Sequence, residues 1–264
     1  MRDGASAADK NGAVSDFPYH VLDDVAHRPW PLPDRPWFMT QSWHNLLFAH
    51  WPVDARALQE TLPAGLPLDL YDGQAWLGII PFHMTNVAPR GVPSIPFVSA
   101  FPELNVRTYV TLGGKPGIYF FSLDAGSALA VAAARTLFHL PYFTAAMSVE
   151  EVGGEIAYRS KRSTRMDGVA QFAATYRPIG PVQLPQRGTL EHFLTERYCL
   201  YTVDESFHAK RLEIHHWPWP LQLAEARITV NTMAEAAGLR LPPAAPQLHF
   251  AKRQDMVAWP MTNV

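Results

Sequence analysis

The run Phe101-Pro102-Glu103-Leu104-Asn105-Val106-Arg107-Thr108-Tyr109-Val110 constrains this chain more than any other stretch. Side chains on a strand alternate between two faces. A strand here therefore puts Glu103, Asn105, Arg107 and Tyr109 on one face and Leu104, Val106, Thr108 and Val110 on the other. An ordinary half-buried strand shows the same alternation. The polar set itself is what stands out: a carboxylate, an amide, a guanidinium and a phenol in succession. Turned into a closed barrel, such a face can bind and transform a small polar molecule. The bland alternative is an ion pair between Glu103 and Arg107, or exposure of both. Four strand residues separate their backbones by ~13 Å, so pairing would need Arg107 to reach back.

The rest of the chain is also strand-like. Segments 38–51, 74–87, 104–112, 117–123, 143–150, 155–162, 169–177, 210–217, 226–231 and 247–259 read as about ten strands. Gly113-Gly114-Lys115-Pro116 reads as a hairpin turn and Gly153-Gly154 as another. Short connections and this many strands predict a mainly β (α+β) fold, an antiparallel β-barrel with a few helices. Three helices are expected: Ala55–Leu62 capped by Asp54, an Ala-rich stretch up to His139 capped by Asp124 or Ser127, and Leu190–Leu200 capped by Thr189. The second is apolar nearly all round and should be buried. Residues 1–16 are small and polar and read as disordered, and prolines at 18, 29, 31, 33 and 36 suit an extended arm. The domain reading is an arm over 1–36 and one barrel over 37–264.

Composition narrows the classes. Hydrophobic residues make up 48% and charged residues 17% of the 264, enough for a sizeable core. A formal net charge of −2 gives no reason to expect nucleic acid or an anionic membrane as partner. There is neither a signal-peptide-like N-terminus nor an apolar run of spanning length, and the lone Cys199 excludes an internal disulfide. A cytoplasmic protein is expected, with composition compatible with a homodimer.

Nucleotide and serine-hydrolase signatures are missing: no GxxxxGK[ST], no GxGxxG after a strand and no GxSxG. Although the chain has 11 histidines, no HExxH, CxxC or His-x-His spacing is present, so neither metal nor other cofactor is expected. His215 and His216 should point to opposite strand faces, whereas His44 and His50 should share one. The five lysines, Lys10, Lys115, Lys161, Lys210 and Lys252, all lie in polar or turn contexts unsuited to imine chemistry. Arg159, Lys161 and Arg162 read as a solvated strand end, and Glu191, His192, Glu196 and Arg197 as a solvated or interface face. That leaves Glu103 as candidate acid–base, with His50 at a strand end near the rim and Tyr142 at the mouth as orienting or proton-donating groups. Arg107, Asn105 and Tyr109 are the candidate substrate binders. The proline-flanked Trp217 and Trp219 read as a rigid wall.

Several segments together, HWPV (50–53), SAFPELNVRTYV (99–110), GIYFFSLDA (117–125), FHLPY (138–142), EHFLTERY (191–198) and HHWPWPL (215–221), resemble the uncharacterised YqjF-like proteins. That family is similar in fold to acetoacetate decarboxylase, a cone-shaped β-barrel with an internal active site. The resemblance implies that architecture from about Trp37 to Trp259. It also places Glu103 where the decarboxylase carries a glutamate. The decarboxylase's Schiff-base lysine follows a proline after a helix, and here that place reads Pro141-Tyr142. The implied function is a metal-free, lysine-independent enzyme of lyase, hydratase or isomerase type acting on a small carbonyl or carboxylate compound. The alternative is a non-catalytic sensor that binds such a molecule in the same barrel.

Overall fold

Residues 16–92, 99–138, 140–163, 170–204, 206 and 208–264 are described by the computed structural model. Most of the residues read as a disordered tail, and Lys10 with them, lie outside the described residues. Twelve strands are present among the described residues: β1 (Met39–Val53), β2 (Ala75–Pro89), β3 (Phe101–Leu112), β4 (Lys115–Ala125), β5 (Tyr142–Val152), β6 (Glu155–Arg162), β7 (Gln171–Gln183), β8 (Cys199–Val203), β9 (Ala209–His216), β10 (Leu221–Asn231), β11 (Gln247–Ala258) and β12 (Thr262–Asn263). Four helices join them: α1 (Ala55–Gln59), α2 (Ala128–Phe138), α3 (Leu190–Thr195) and α4 (Met233–Ala236).

The strands make one sheet in the order β12-β9-β8-β4-β3-β2-β1-β11-β10-β7-β6-β5, with β9–β11 and β4–β5 also paired. It therefore closes twice. A ring of nine strands runs from β1 through β11, β10, β7, β6 and β5 back to β4, β3 and β2. A tighter ring of seven runs through β11, β9 and β8 and shares β4, β3, β2 and β1 with the first. The forks sit on β4 and β11. Ile118 and Tyr119 pair with β8 while Leu123 to Ala125 pair with β5. On β11, Phe250 and His249 pair with β10, whereas Met256 to Ala258 pair with β9. The result is mainly β with few helices, yet it is not a regular barrel. The pairings are antiparallel apart from β4 with β5 and with β8, and α2 supplies the crossover that a parallel β4–β5 pair requires.

The shared sheet has two insides. Leu104 and Val106 face the larger ring, which Ile156, Tyr158, Phe172, Tyr176 and Met233 fill with hydrocarbon. Phe101 and its neighbours on the opposite face look into the smaller ring, where Ile80, Phe82, Met84 and Trp219 gather. Bulges bend the strands enough to close. One lies in β1, where Asn45 takes a left-handed φ of 52° and the register with β2 shifts between His44 and Ala49. It reverses the alternation, so His44 and His50 do not share a face: His44 bonds Thr85 and His50 turns toward Tyr109.

Several local expectations need correction. Helix α1 ends at Gln59, and α3 stops at Thr195 because Cys199 onward pairs with both β4 and β9 as an eighth strand. Thr189 caps α3 as expected, accepting from the His192 amide at 3.3 Å. Ser127 caps α2, accepting from the Ala130 amide, while Asp124 remains inside β4. Arg162 is buried, not solvated. The arm is not wholly extended: Tyr19–Asp23 forms a 3-10 turn, and Phe17 and Val21 pack on Val257 and Trp259. No helix among the described residues is long and apolar enough to cross a membrane.

Candidate active site

The smaller ring encloses a cavity of about 370 Å³. Its walls are mainly apolar, and the polar lining includes Glu103, Asn105, Arg107, Tyr142, Arg197 and His216. Glu103, Asn105 and Arg107 come from one strand, as strand alternation dictates, and each is over nine-tenths buried. Tyr142, the first residue of β5, follows the crossover helix and meets β3 from the side. Its hydroxyl donates to Glu103 Oε2 at 3.0 Å.

Burial dominates the electrostatics at this pair. Withdrawal from water raises the Glu103 carboxyl to about 8, against the Tyr142 hydrogen bond that lowers it, and Asp124 nearby pushes it up further. Glu103 is therefore mostly a neutral acid at pH 7, and Tyr142 stays a phenol because burial and Glu103 both raise its pKa. Glu103 is further held through its own carbonyl, which accepts from the Tyr158 hydroxyl at 2.7 Å. Behind it, Asp124 receives a two-pronged contact from Arg162, Nη2 to Oδ1 at 2.7 Å and Nε to Oδ2 at 3.1 Å. Burial nonetheless keeps Asp124 above the ordinary carboxylate value. The Arg162 guanidinium also lies 3.7 Å over the Phe143 ring, bracing the start of β5.

Arg107 occupies the other end. Its Nη2 donates to the Leu194 carbonyl at 3.1 Å and to the Tyr109 hydroxyl at 3.3 Å. Leu194 lies in the last turn of α3, whose free carbonyls seek donors, so the helix end and the guanidinium satisfy each other. Arg107 Nε and Asn105 Oδ1 are buried with no hydrogen-bond partner among the described residues. Nor does any described carboxylate lie within ion-pair distance of Arg107. The bland reading of a Glu103–Arg107 bridge is thus not what the fold provides.

His50 and Tyr109 lie behind the wall rather than on it. His50 is fully enclosed and 2.6 Å from the Tyr109 hydroxyl, with its pKa well below the usual value because of burial, then Arg107 and His249. The expected rim position fails because β1 continues to Val53 and α3 covers that end of the ring. His50, Gly78 and Arg107 form one cross-strand row. A Cβ on Gly78 would sit 2.9 Å from the His50 ring and 3.4 Å from Arg107 Cγ, so only glycine fits between them.

Sequence reasoning missed Arg197, Asp124 and Arg162. Arg197 leaves the short α3 and turns inward, bonding Asp69 at 2.5 Å and the Phe193 carbonyl at 2.7 Å. Its predicted solvated face assumed a helix through Leu200. The Asp124–Arg162 pair bridges strands far apart in sequence and carries no local signal. Trp219 does form a wall, stacked on Trp43 at 5.8 Å. No lysine is among the described residues lining the cavity.

Solved structures share this architecture at low sequence identity. An enduracididine biosynthesis enzyme, MppR, complexed with pyruvate superposes with a TM-score of 0.60 at 12% identity, covering 87% of this chain and 91% of that one. Acetoacetate decarboxylase from Legionella pneumophila gives a TM-score of 0.60 at 12% identity, covering 96% and 98%. The chain thus has an acetoacetate decarboxylase-like fold. It is 52% identical over 233 residues to the uncharacterized protein YqjF of Bacillus subtilis (strain 168), covering 87% of this chain and 94% of that protein. With residues 40–255 matched by the DUF2071 family of uncharacterized conserved proteins, the chain belongs to that family.

Proposed function

We propose that this protein is an enzyme of lyase, hydratase or isomerase type that moves a proton on a small carbonyl- or carboxylate-bearing molecule held in the smaller ring. The carrying observation is the Glu103–Tyr142 hydrogen bond inside a largely apolar cavity whose opposite end presents Arg107 without a carboxylate partner among the described residues. Tyr142 occupies Oε2, leaving Oε1 of a neutral Glu103 to give its proton to a substrate oxygen or carbon and to take one back. Arg107 supplies charge-assisted hydrogen bonds to a carboxylate, and Asn105 Oδ1 accepts from a hydroxyl or amine. Fold neighbours that include an enzyme solved with pyruvate lend support of the same kind. Tyr142 stands where the resemblance puts an imine-forming lysine, so the proposed chemistry proceeds by proton transfer without an imine.

A thermal-shift panel of keto acids, hydroxy acids and neutral ketones tests this reading, since a ligand of the folded state raises stability. Glu103→Gln should keep the ligand's affinity within about threefold and lower turnover by about 10²-fold or more. A flat panel sinks the binding site. Binding with no turnover in the unmodified protein would make it a sensor.

A further inference from the structure

We infer that the ligand is extended: a carboxylate at the cavity floor beside Arg107, an oxygen function at Glu103 and Tyr142, and an apolar spacer of about two or three carbons between them. This rests on reading these three side chains as the site. Glu103 and Arg107 stand on the same face of β3, four residues and hence ~13 Å apart. The guanidinium does not lean back across that gap. Its Nη2 is tied to Tyr109 and to the Leu194 carbonyl, on the side away from Glu103. Subtracting a hydrogen bond of ~3 Å at each end leaves ~7 Å from one ligand oxygen to the other, about six bonds, of which about two or three carbons lie between the carboxyl and carbonyl carbons. A three-carbon acid reaches one group or the other, never both.

The walls agree with such a chain. Between the two polar ends the cavity presents Leu46, Ile80, Phe82, Phe120 and Trp219, with Asn105 as the polar interruption on β3. The volume of about 370 Å³ falls in the range of pockets that hold ligands well above pyruvate in size. Depth orders the two ends. Arg107 lies under α3, whereas the cavity's far end is lined by Phe38, Met39 and Pro89, and Pro89 is exposed at the end of β2. The carboxylate therefore enters first and the reacting end stops at Glu103, nearer the opening.

A chain-length series measures this directly. Straight-chain oxo acids of three to twelve carbons, with the ketone at the end away from the carboxylate, are titrated by calorimetry against the full-length protein. Affinity should rise about fourfold per added methylene up to about five or six carbons and fall beyond that. The methyl ester of the best acid should bind at least tenfold more weakly, and Arg107→Gln should abolish the difference between acid and ester. Should that variant fail to fold, the acid–ester comparison in the unmodified protein still decides. Equal affinity at all lengths, or tightest binding by the three-carbon acid, overturns the extended ligand and leaves the site reading standing. No binding by any member, with a flat small-molecule panel, overturns both.

Discussion

At the scale of single residues, Glu103 is held against its own stability. A carboxyl whose pKa rises from 4.5 to about 8 on folding favours the folded state fully only below the unfolded value, and that advantage is lost as pH rises through 8. Glu103→Gln keeps an acceptor for Tyr142 and removes the ionisation. It should therefore be more stable than the unmodified protein by a few kcal/mol at pH 8 and nearly equal at pH 4.5, read from urea denaturation at both. No difference at pH 8 would mean that Glu103 is not buried in the folded state. The adjacent Asp124–Arg162 pair should behave oppositely. Arg162→Met leaves a buried carboxylate alone and should cost about 3–5 kcal/mol, measured by the same denaturation. Alternation alone made Glu103, Asn105 and Arg107 legible as one face. Tyr142 was legible only as a neighbour of a mouth, because its partner lies 39 residues away in sequence.

At the scale of elements, the site depends on close approach between strands. Gly78 separates His50 from Arg107 in the row across β1, β2 and β3. Gly78→Ala should destabilise by about 1–3 kcal/mol and weaken carboxylate binding, because the new methyl displaces one of two packed side chains. A calorimetric titration that finds unchanged affinity would show that Arg107 is not held by this row. Helix α3 matters for its last turn, where the Leu194 carbonyl accepts from both Tyr109 and Arg107. The Thr189 cap and the helix start were readable from local residues. Its early end was not, since the pairing of Cys199–Val203 with β9 and β4 competes with helix propensity and only the assembled sheet offers it.

At the scale of the whole molecule, the N-terminal arm closes over β9. The His215 Nε2 contacts the Val21 carbonyl at 2.8 Å, Arg28 donates to the Ile214 carbonyl at 2.7 Å, and the Trp30 indole donates to Glu213. Burial lowers both His215 and His216 to about 4, so the stability they contribute is complete above about 6.5 and lost as pH falls toward 4. In the Glu103→Gln background, which removes the opposing trend, stability should drop by about 4–5 kcal/mol between pH 7 and pH 4.5. Replacing His215 by Gln should roughly halve that drop, since His216 still titrates. An unchanged slope would place the titrating groups elsewhere. The sequence by itself determined that the chain is mainly β, where ten of the twelve described strands and most caps lie, and which polar side chains share one strand face, because these follow from alternation and neighbouring residues. Only the tertiary structure decided that the sheet closes twice, with hydrocarbon filling one interior and a cavity left in the other. Strand pairing over long sequence distances, the forks on β4 and β11 and the bulge at Asn45 set that choice, and none of them is a local property of the chain.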